Sequence, residues 1–238
     1  MTHLKTLGSL DVVFLFNRTH YAPMPWLEAG YSCLIVDTQL PSTFDFDADT
    51  GCYRSNLDAG VLLECIDKPK LVIAFPPCTD LAVSGAVHFE SKRLKNPGFQ
   101  EEAVDLAKLA STLGVPYIIE NPVSVLSTMW RKPNYYFHPS DYGGYLTSEE
   151  AEHPDYPEYI APYDAYPKKT GIWHGNGAVE PAKKPVERPK GYSTQHKKLG
   201  GKSLKTKNIR SATARGWSRA VFEANEHLLR QLSLFSEK

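Results

Sequence analysis

Four short apolar runs, spaced along the first half of the chain, constrain it more than any other feature. They are "LDVVFLF" at 10–16, "SCLIVDT" at 32–38, "PKLVIAF" at 69–75 and "VPYIIENP" at 115–122. Each is rich in β-branched and aromatic residues and too short for a buried helix, so each reads as a buried strand. Helical patterns lie between them. In "YAPMPWLEAGY", Pro23 and Pro25 allow a helix only from there on, ending near Gly30. "AGVLLECI" reads as a short helix. "EEAVDLAKLASTLG" at 101–114 has apolar residues at helical spacing and a glycine at its end. Strand–helix alternation of this kind means a parallel sheet with covering helices, an α/β fold. A length of 238 residues with 42% hydrophobic residues suits one such domain.

In open parallel sheets, ligands bind beyond the carboxyl ends of the strands. Asp37, Cys78 and Glu120 all fall at such ends. The third run continues into "FPPCTD", where Pro76 and Pro77 stiffen the backbone just before a thiol. A thiolate is a strong nucleophile, and one reaction that fits is attack on carbon 6 of a pyrimidine. The ring must then be polarised by an acid at ring nitrogen 3, and Glu120 is placed for that. Asn121 and Pro122 would fix the turn that aims it.

The rest of the chain is less regular. Residues 40–56 are polar and turn-rich and read as a loop. Residues 131–167 are rich in Tyr, Pro, Asp and Gly and read as loop with a helical turn near 147–152. Their tyrosines either pack a loop layer or stack on a base. "KKTGIWHG" at 168–175 reads as a strand. Residues 181–210 carry many lysines and arginines against Glu187 alone, which suits either a solvated segment or phosphate contact. An amphipathic helix starting near Thr213 closes the chain, and Trp173 and Trp217 read as packing residues.

The formal net charge is zero, so bulk charge selects no partner. The four cysteines contain no CxxC pair and no histidines cluster beside them, so no metal site is expected. Cys33, Cys52 and Cys65 read as structural. No secretion signal or membrane span is read, and the expectation is a cytoplasmic protein with reduced thiols.

"FPPCTDLAVSG" together with "IIENPVSVLST" resembles the DNA (cytosine-5)-methyltransferases, whose catalytic strand carries Pro-Pro-Cys and whose next strand carries Glu-Asn. "KKTGIW" and "RSATARGWSRAVFEA" extend the resemblance, over nearly the whole chain, to short phage and prophage proteins of that kind. The resemblance implies a Rossmann-like class I methyltransferase sheet with helices on both faces, in a single catalytic domain over 1–238. Within it, 131–167 would be a Tyr/Pro-rich loop region and 175–209 a small irregular basic insertion in place of a full target-recognition domain. Residues 210–238 would form the C-terminal helix. It implies DNA as partner, with a cytosine flipped from the duplex, S-adenosyl-L-methionine as cofactor, no membrane, and the host cytoplasm if phage-encoded. Cys78 would be the nucleophile and Glu120 the group at ring nitrogen 3, with Pro77, Asn121, Lys169 and Thr170 beside them and Lys168 on the same strand. Phe16, Asn17, Arg18, Thr19, Asp37, Pro76 and one of Asn56 or Asp58 would hold the cofactor. Lys197, Lys198, Lys202, Lys205 and Arg210 would meet nucleic acid.

The chain departs from the pattern after the first strand. The family has a Phe-x-Gly-x-Gly turn there, and this chain reads "FNRTH". Asn17 is the residue expected to tolerate left-handed backbone, and Arg18 could pair with a carboxylate. Two other readings therefore stand beside the first. One is a related pyrimidine-modifying enzyme using another donor or a free nucleotide. The other is a non-catalytic descendant that binds DNA or protein.

Overall fold

The computed structural model describes residues 10–190, 193–200 and 203–233. Lys202 and residues 234–238 of the expected closing helix lie outside them. The chain divides into two compact units. The first comprises residues up to Tyr136, then Thr170–Val179 and the chain from Asn225 onward; the second comprises Phe137–Lys169 and Glu180–Ala224.

The first unit is built on the four apolar runs. They form β1 (Val12–Leu15), β2 (Cys33–Val36), β5 (Leu71–Ala74) and β6 (Tyr117–Pro122). Every residue of β1, β2 and β5 is buried, as expected of strands covered on both faces. The helix α1 (Met24–Glu28) has Pro25 in its first turn and is followed by Gly30 at φ +84°. Asp58 caps α2 (Ala59–Cys65) by accepting from Gly60 N and Val61 N. After β5 come a 3₁₀ segment (Val83–His88), α3 (Phe89–Arg93) and α4 (Phe99–Lys108), which buries Phe99, Val104 and Ala107. The short α5 (Leu126–Met129) follows β6.

Four further strands complete the sheet. The segment 40–56 is not all loop: Asp45–Asp47 (β3) and Cys52–Ser55 (β4) form an antiparallel hairpin, with Arg54 bridging both Asp45 and Asp47. Asp45 and Asp47 sit on the edge strand β3, where charges deter further strand pairing, and the polarity of the segment is why it does not read as a strand. Tyr135–Phe137 is β7, and β8 (Thr170–Gly175) starts after the two lysines rather than at them. The sheet order is β3-β4-β2-β1-β5-β6-β8-β7. β4, β2, β1, β5 and β6 run parallel, but β8 is antiparallel to β6, so the sheet is mixed rather than wholly parallel. Val13, Leu15, Val36, Val72, Ala74 and Ile119 belong to one buried cluster with Leu62, Val104, Leu126 and Trp173.

In the second unit, Phe137 stacks on Trp217 with ring centroids 5.3 Å apart, and Ile160, Tyr166 and Ala212 form a small cluster. At 147–152 the chain makes the expected turn, with Glu150 N bonded to Thr147 O and Ala151 N to Ser148 O; further short helical turns are at Pro139–Asp141, Gly143–Tyr145 and Pro162–Asp164. The basic run carries α6 (Thr194–Lys198) and α7 (Leu204–Ser211), the latter capped by Ser203 on Thr206 N. The closing helix starts at Arg215, near Thr213 as expected, and breaks in two: α8 (Arg215–Asn225) and α9 (His227–Ser233). Asp164, 1% exposed, explains the start. Its carboxylate accepts from Arg215 N at 2.6 Å and Gly216 N at 3.4 Å, and it pairs with the Arg215 guanidinium. Those are orphan amides of a helix N-terminus, where an anion is stabilising.

Two outcomes follow for this unit. A Cβ on Gly216 would collide with the Tyr142 carbonyl, so Gly216→Ala is expected to lower stability by about 1–3 kcal/mol in chemical unfolding. Buried His153 accepts through Nδ1 from Asp155 N and Tyr156 N, and burial, then the Arg215 charge, lowers its pKa from 6.5 to about 4. The unfolded chain therefore takes up a proton that the folded one refuses, and stability falls as pH drops from 6.5 towards 4. His153→Asn keeps an acceptor without a titration in that window, so its melting temperature should fall less steeply over the same range.

Candidate active site

The carboxyl ends of β1, β2, β4, β5 and β6 lie along one rim of the sheet, because these strands are parallel. Chain connections leave β1 for β2 and β4 on one side, then cross to β5 and β6 on the other. The rim between β1 and β5 is therefore the switch point where such sheets bind ligands. β8 enters from the opposite direction, so its first residue, Thr170, pairs with Pro122 on the same rim.

At the end of β5 the chain passes through Phe75, buried Pro76 and exposed Pro77 to half-buried Cys78. Leu81 N and Ala82 N both bond back to Cys78 O, at 3.1 and 2.8 Å, closing a turn around the cysteine. Lys92 of α3 donates to Thr79 O at 3.1 Å and pairs with Asp80, while Gln100 of α4 donates to Asp80 O. The next residues join the chain beyond β6. Ala82 bridges Ser124, Val83 N bonds Val123 O, and Val125 N bonds Leu81 O.

β6 supplies the opposite wall. Ala74 pairs with Ile119, so Glu120 and Asn121 lie just past the pairing with β5. Successive strand residues face opposite ways, and the two differ accordingly: Glu120 is half-buried and Asn121 fully buried. Asn121 Nδ2 donates to Pro76 O at 3.1 Å across the two strands. Its bond thus holds the cysteine's loop, rather than only the turn that aims Glu120. Pro76 O is correspondingly occupied, so one of its two lone pairs is already in use. Asn121 Oδ1 is buried with no hydrogen-bond partner. Thr170 is buried beside this segment, while Lys168 is half-buried and Lys169 exposed, both in the second unit.

The expected cofactor residues divide. The left-handed backbone after β1 falls on Phe16, at φ +57°, and not on Asn17. A non-glycine residue there is strained, and such strain gathers at ligand sites. Asn17 is 4% exposed, and its Nδ2 is buried with no partner. Arg18 is exposed and Thr19 half-buried. Asp37 is half-buried and accepts from Gln39 N through Oδ1. Asn56 Nδ2 donates to Leu40 O, and Asp58 is the α2 cap, so both serve their own loops.

The expected nucleic-acid residues fare differently again. Lys198 donates to Glu158 O, Lys205 lies over the Tyr159 ring at 5.5 Å, and Arg210 donates to Leu199 O. Lys197 is exposed. Among the described residues, no group of three or more His, Cys, Asp or Glu is placed to hold a metal ion, and no helix is long and apolar enough to cross a membrane.

No family model and no curated protein matches the chain. Among solved structures, it is similar to a crystal structure of a prophage-encoded protein from E. coli described as a DNA modification methyltransferase. Identity is 12%, the match covers 70% of this chain and 46% of that one, and the TM-score is 0.38. The chain thus spans under half of that protein's length. A likeness of that size carries no functional argument, and the reading of the site rests on its own residues.

The four thiols provide a direct check. Burial pushes the Cys33 thiol far up and the Cys52 thiol up to about 12, which leaves both unreactive near neutrality. In the native protein, iodoacetamide should label half-buried Cys78 and Cys65, and label Cys33 and Cys52 only after denaturation, as read by peptide mass spectrometry. Equal labelling of all four would refute this division.

Proposed function

We propose that the protein is a DNA cytosine-5 methyltransferase-like enzyme, with Cys78 as nucleophile and Glu120 as the acid. The observation that carries the reading is the joining of the two motifs. The Cys78 turn and the Glu120 strand end are tied by the Asn121–Pro76 bond and by the Ala82–Ser124 bridge, at the carboxyl rim of adjacent parallel strands. The strand order supports it too: β4-β2-β1-β5-β6 follows the 3-2-1-4-5 order of a doubly wound sheet.

In this reading, a cytosine leaves the stack and enters the rim. The Cys78 thiolate adds to carbon 6, and Glu120 hydrogen-bonds or protonates ring nitrogen 3, which makes carbon 5 nucleophilic. Once carbon 5 has bonded to an electrophilic one-carbon group, loss of its proton to a base would expel the thiolate and restore the ring. The turn closed on Cys78 O, with Lys92 on Thr79 O, fixes the direction of attack, since misplacement by about 1 Å can cost a hundredfold in rate. Thr170 would complete the base's surroundings.

The β1 and β2 ends fit a polar ligand: Asn17 presents a buried amide donor without a partner, and Asp37 a half-buried carboxylate. Phe16, Asn17, Arg18, Thr19, Asp37 and Pro76 would hold S-adenosylmethionine, which supplies an electrophilic methyl group when bound. The strained Phe16 turn, where a glycine-rich one is expected, favours a second reading: the same thiol chemistry with a different donor.

Trapping on duplex DNA containing 5-fluorocytosine tests the chemistry, because fluorine at carbon 5 blocks the elimination that frees the thiol. With S-adenosylmethionine present, the protein should form an adduct stable to denaturing gel electrophoresis. Cys78→Ser should abolish it, and Glu120→Gln should slow its formation about a hundredfold or more. An adduct that survives Cys78→Ser would reject the assignment. Calorimetric titration of S-adenosylmethionine separates the two donors: binding supports the first, and its absence supports the second.

A further inference from the structure

The backbone on either side of Cys78 is held from two directions. From β6, Asn121 Nδ2 donates to Pro76 O at 3.1 Å. From beyond the turn, the chain runs through the 3₁₀ segment and α3 to α4, and both helices send a side chain back. Lys92 of α3 donates to Thr79 O at 3.1 Å and pairs with the Asp80 carboxylate. Gln100, in the first turn of α4, donates through Nε2 to Asp80 O at 3.4 Å. Cys78 O itself accepts from Leu81 N and Ala82 N. The carbonyls of Pro76, Cys78, Thr79 and Asp80 thus all have donors. Two of those donors are side chains that lie 13 and 20 residues further along the chain than the carbonyls they bind.

Both side chains are themselves fixed. Gln100 is 8% exposed, and its Oε1 accepts from Arg93 Nη2 at 3.3 Å, which turns its Nε2 towards Asp80 O. A buried amide of this kind requires such partners. The Lys92 ammonium lies 6.0 Å from the centroid of the buried Phe99 ring, which Phe89 meets edge-on. Asn96 secures the connection between α3 and α4: its Oδ1 accepts from Gly98 N, and its Nδ2 donates to the Glu102 carboxylate. At the tip of the turn, Thr79 is exposed and Asp80 half-buried. The bonds to their carbonyls therefore close no core. What they restrain is the direction of the turn that carries Cys78.

We propose that Lys92 and Gln100 are positioning residues for Cys78. Acting through Thr79 O and Asp80 O, they fix the turn from its far side as Asn121 fixes it from its near side, and the thiol between them is held to one direction. Without this clamp the turn opens locally. The thiol then becomes easier for a small reagent to reach, but worse aligned for a ring that must be attacked along one line. The use of the held thiol rests on the reading of Cys78 as nucleophile; the holding itself is measured on the thiol alone.

The experiment follows the rate of iodoacetamide labelling of Cys78 across pH in the full chain, with Cys65 as internal standard and buried Cys33 and Cys52 as reporters of unfolding. Lys92→Met and Gln100→Met remove the donors with little change in size, and Lys92→Arg keeps a cationic donor. In both methionine variants the high-pH plateau of the Cys78 rate should rise about threefold or more, while Lys92→Arg stays within about twofold of the wild type. The plateau separates positioning from charge, because loss of a nearby cation moves the midpoint of the profile instead. An unchanged plateau would overturn the proposal, and so would a rise matched at Cys33 and Cys52, which would reduce both residues to a part in stability. Trapping on 5-fluorocytosine duplex is the second readout. The methionine variants should lower its maximal rate about tenfold at an unchanged half-saturating DNA concentration. A raised half-saturating concentration with the maximal rate unchanged would also overturn the proposal, in favour of Lys92 as a DNA contact. If the plateau rises as expected while the wild type forms no adduct, the clamp stands and the methyltransferase-like reading falls.

Discussion

The hydrogen bond from Asn121 Nδ2 to Pro76 O is the contact on which the candidate site depends. Proline cannot donate to a sheet, so the chain after β5 has few ways of being held in place. A fully buried amide from the next strand supplies one, and it acts at the carbonyl two residues before Cys78. Around it the Ala82–Ser124 bridge and the turn closed on Cys78 O fix the remaining backbone. Removing such a buried donor leaves a carbonyl unsatisfied, a cost of roughly 1–3 kcal/mol. The Cys78 loop and the Glu120 strand are therefore one mechanical piece.

The same rim shows two ways of making a strand end useful. Beyond β5 and β6, rigidity comes from bonds between neighbouring strands. Beyond β1 it comes from a left-handed Phe16, with Asn17 N bonded to Val36 O and Phe75 N bonded to Leu15 O on either side. The strain at Phe16 is borne by a residue that also packs on the buried cluster. Glycine would relieve it and lose that packing. The local turn is thus shaped by an aromatic anchor where open backbone would be the simpler solution.

Much of the first unit was legible because strands buried on both faces must be apolar throughout. β1, β2 and β5 satisfy that, as does β6 as far as Ile119, and their ends locate Asp37, Cys78 and Glu120. The β3–β4 hairpin was not legible, because Asp45, Asp47 and Arg54 make sense only once they are opposite one another. The split at Glu226 was hidden for a similar reason: fully buried Asn225 clasps Val179 through both backbone groups, a long-range contact. At the site, the turn at Phe16 could not be read, since local propensity favours Asn17 for left-handed backbone and the fold overrode it. The Asn121–Pro76 bond and the Lys183–Asp141 pair depend on pairings between distant segments.

The second unit is threaded rather than appended. Its residues come in two segments, 137–169 and 180–224, with β8 returning to the first unit between them. The chain therefore passes between the units four times: after Tyr136, Lys169, Val179 and Ala224. A module hung on one linker can be lost, exchanged or duplicated by a single cut in the gene. This one cannot, because excising either segment strands the other and leaves β8 without its covalent context. Variation in the second unit must come by substitution within it, not by the trading of whole cassettes.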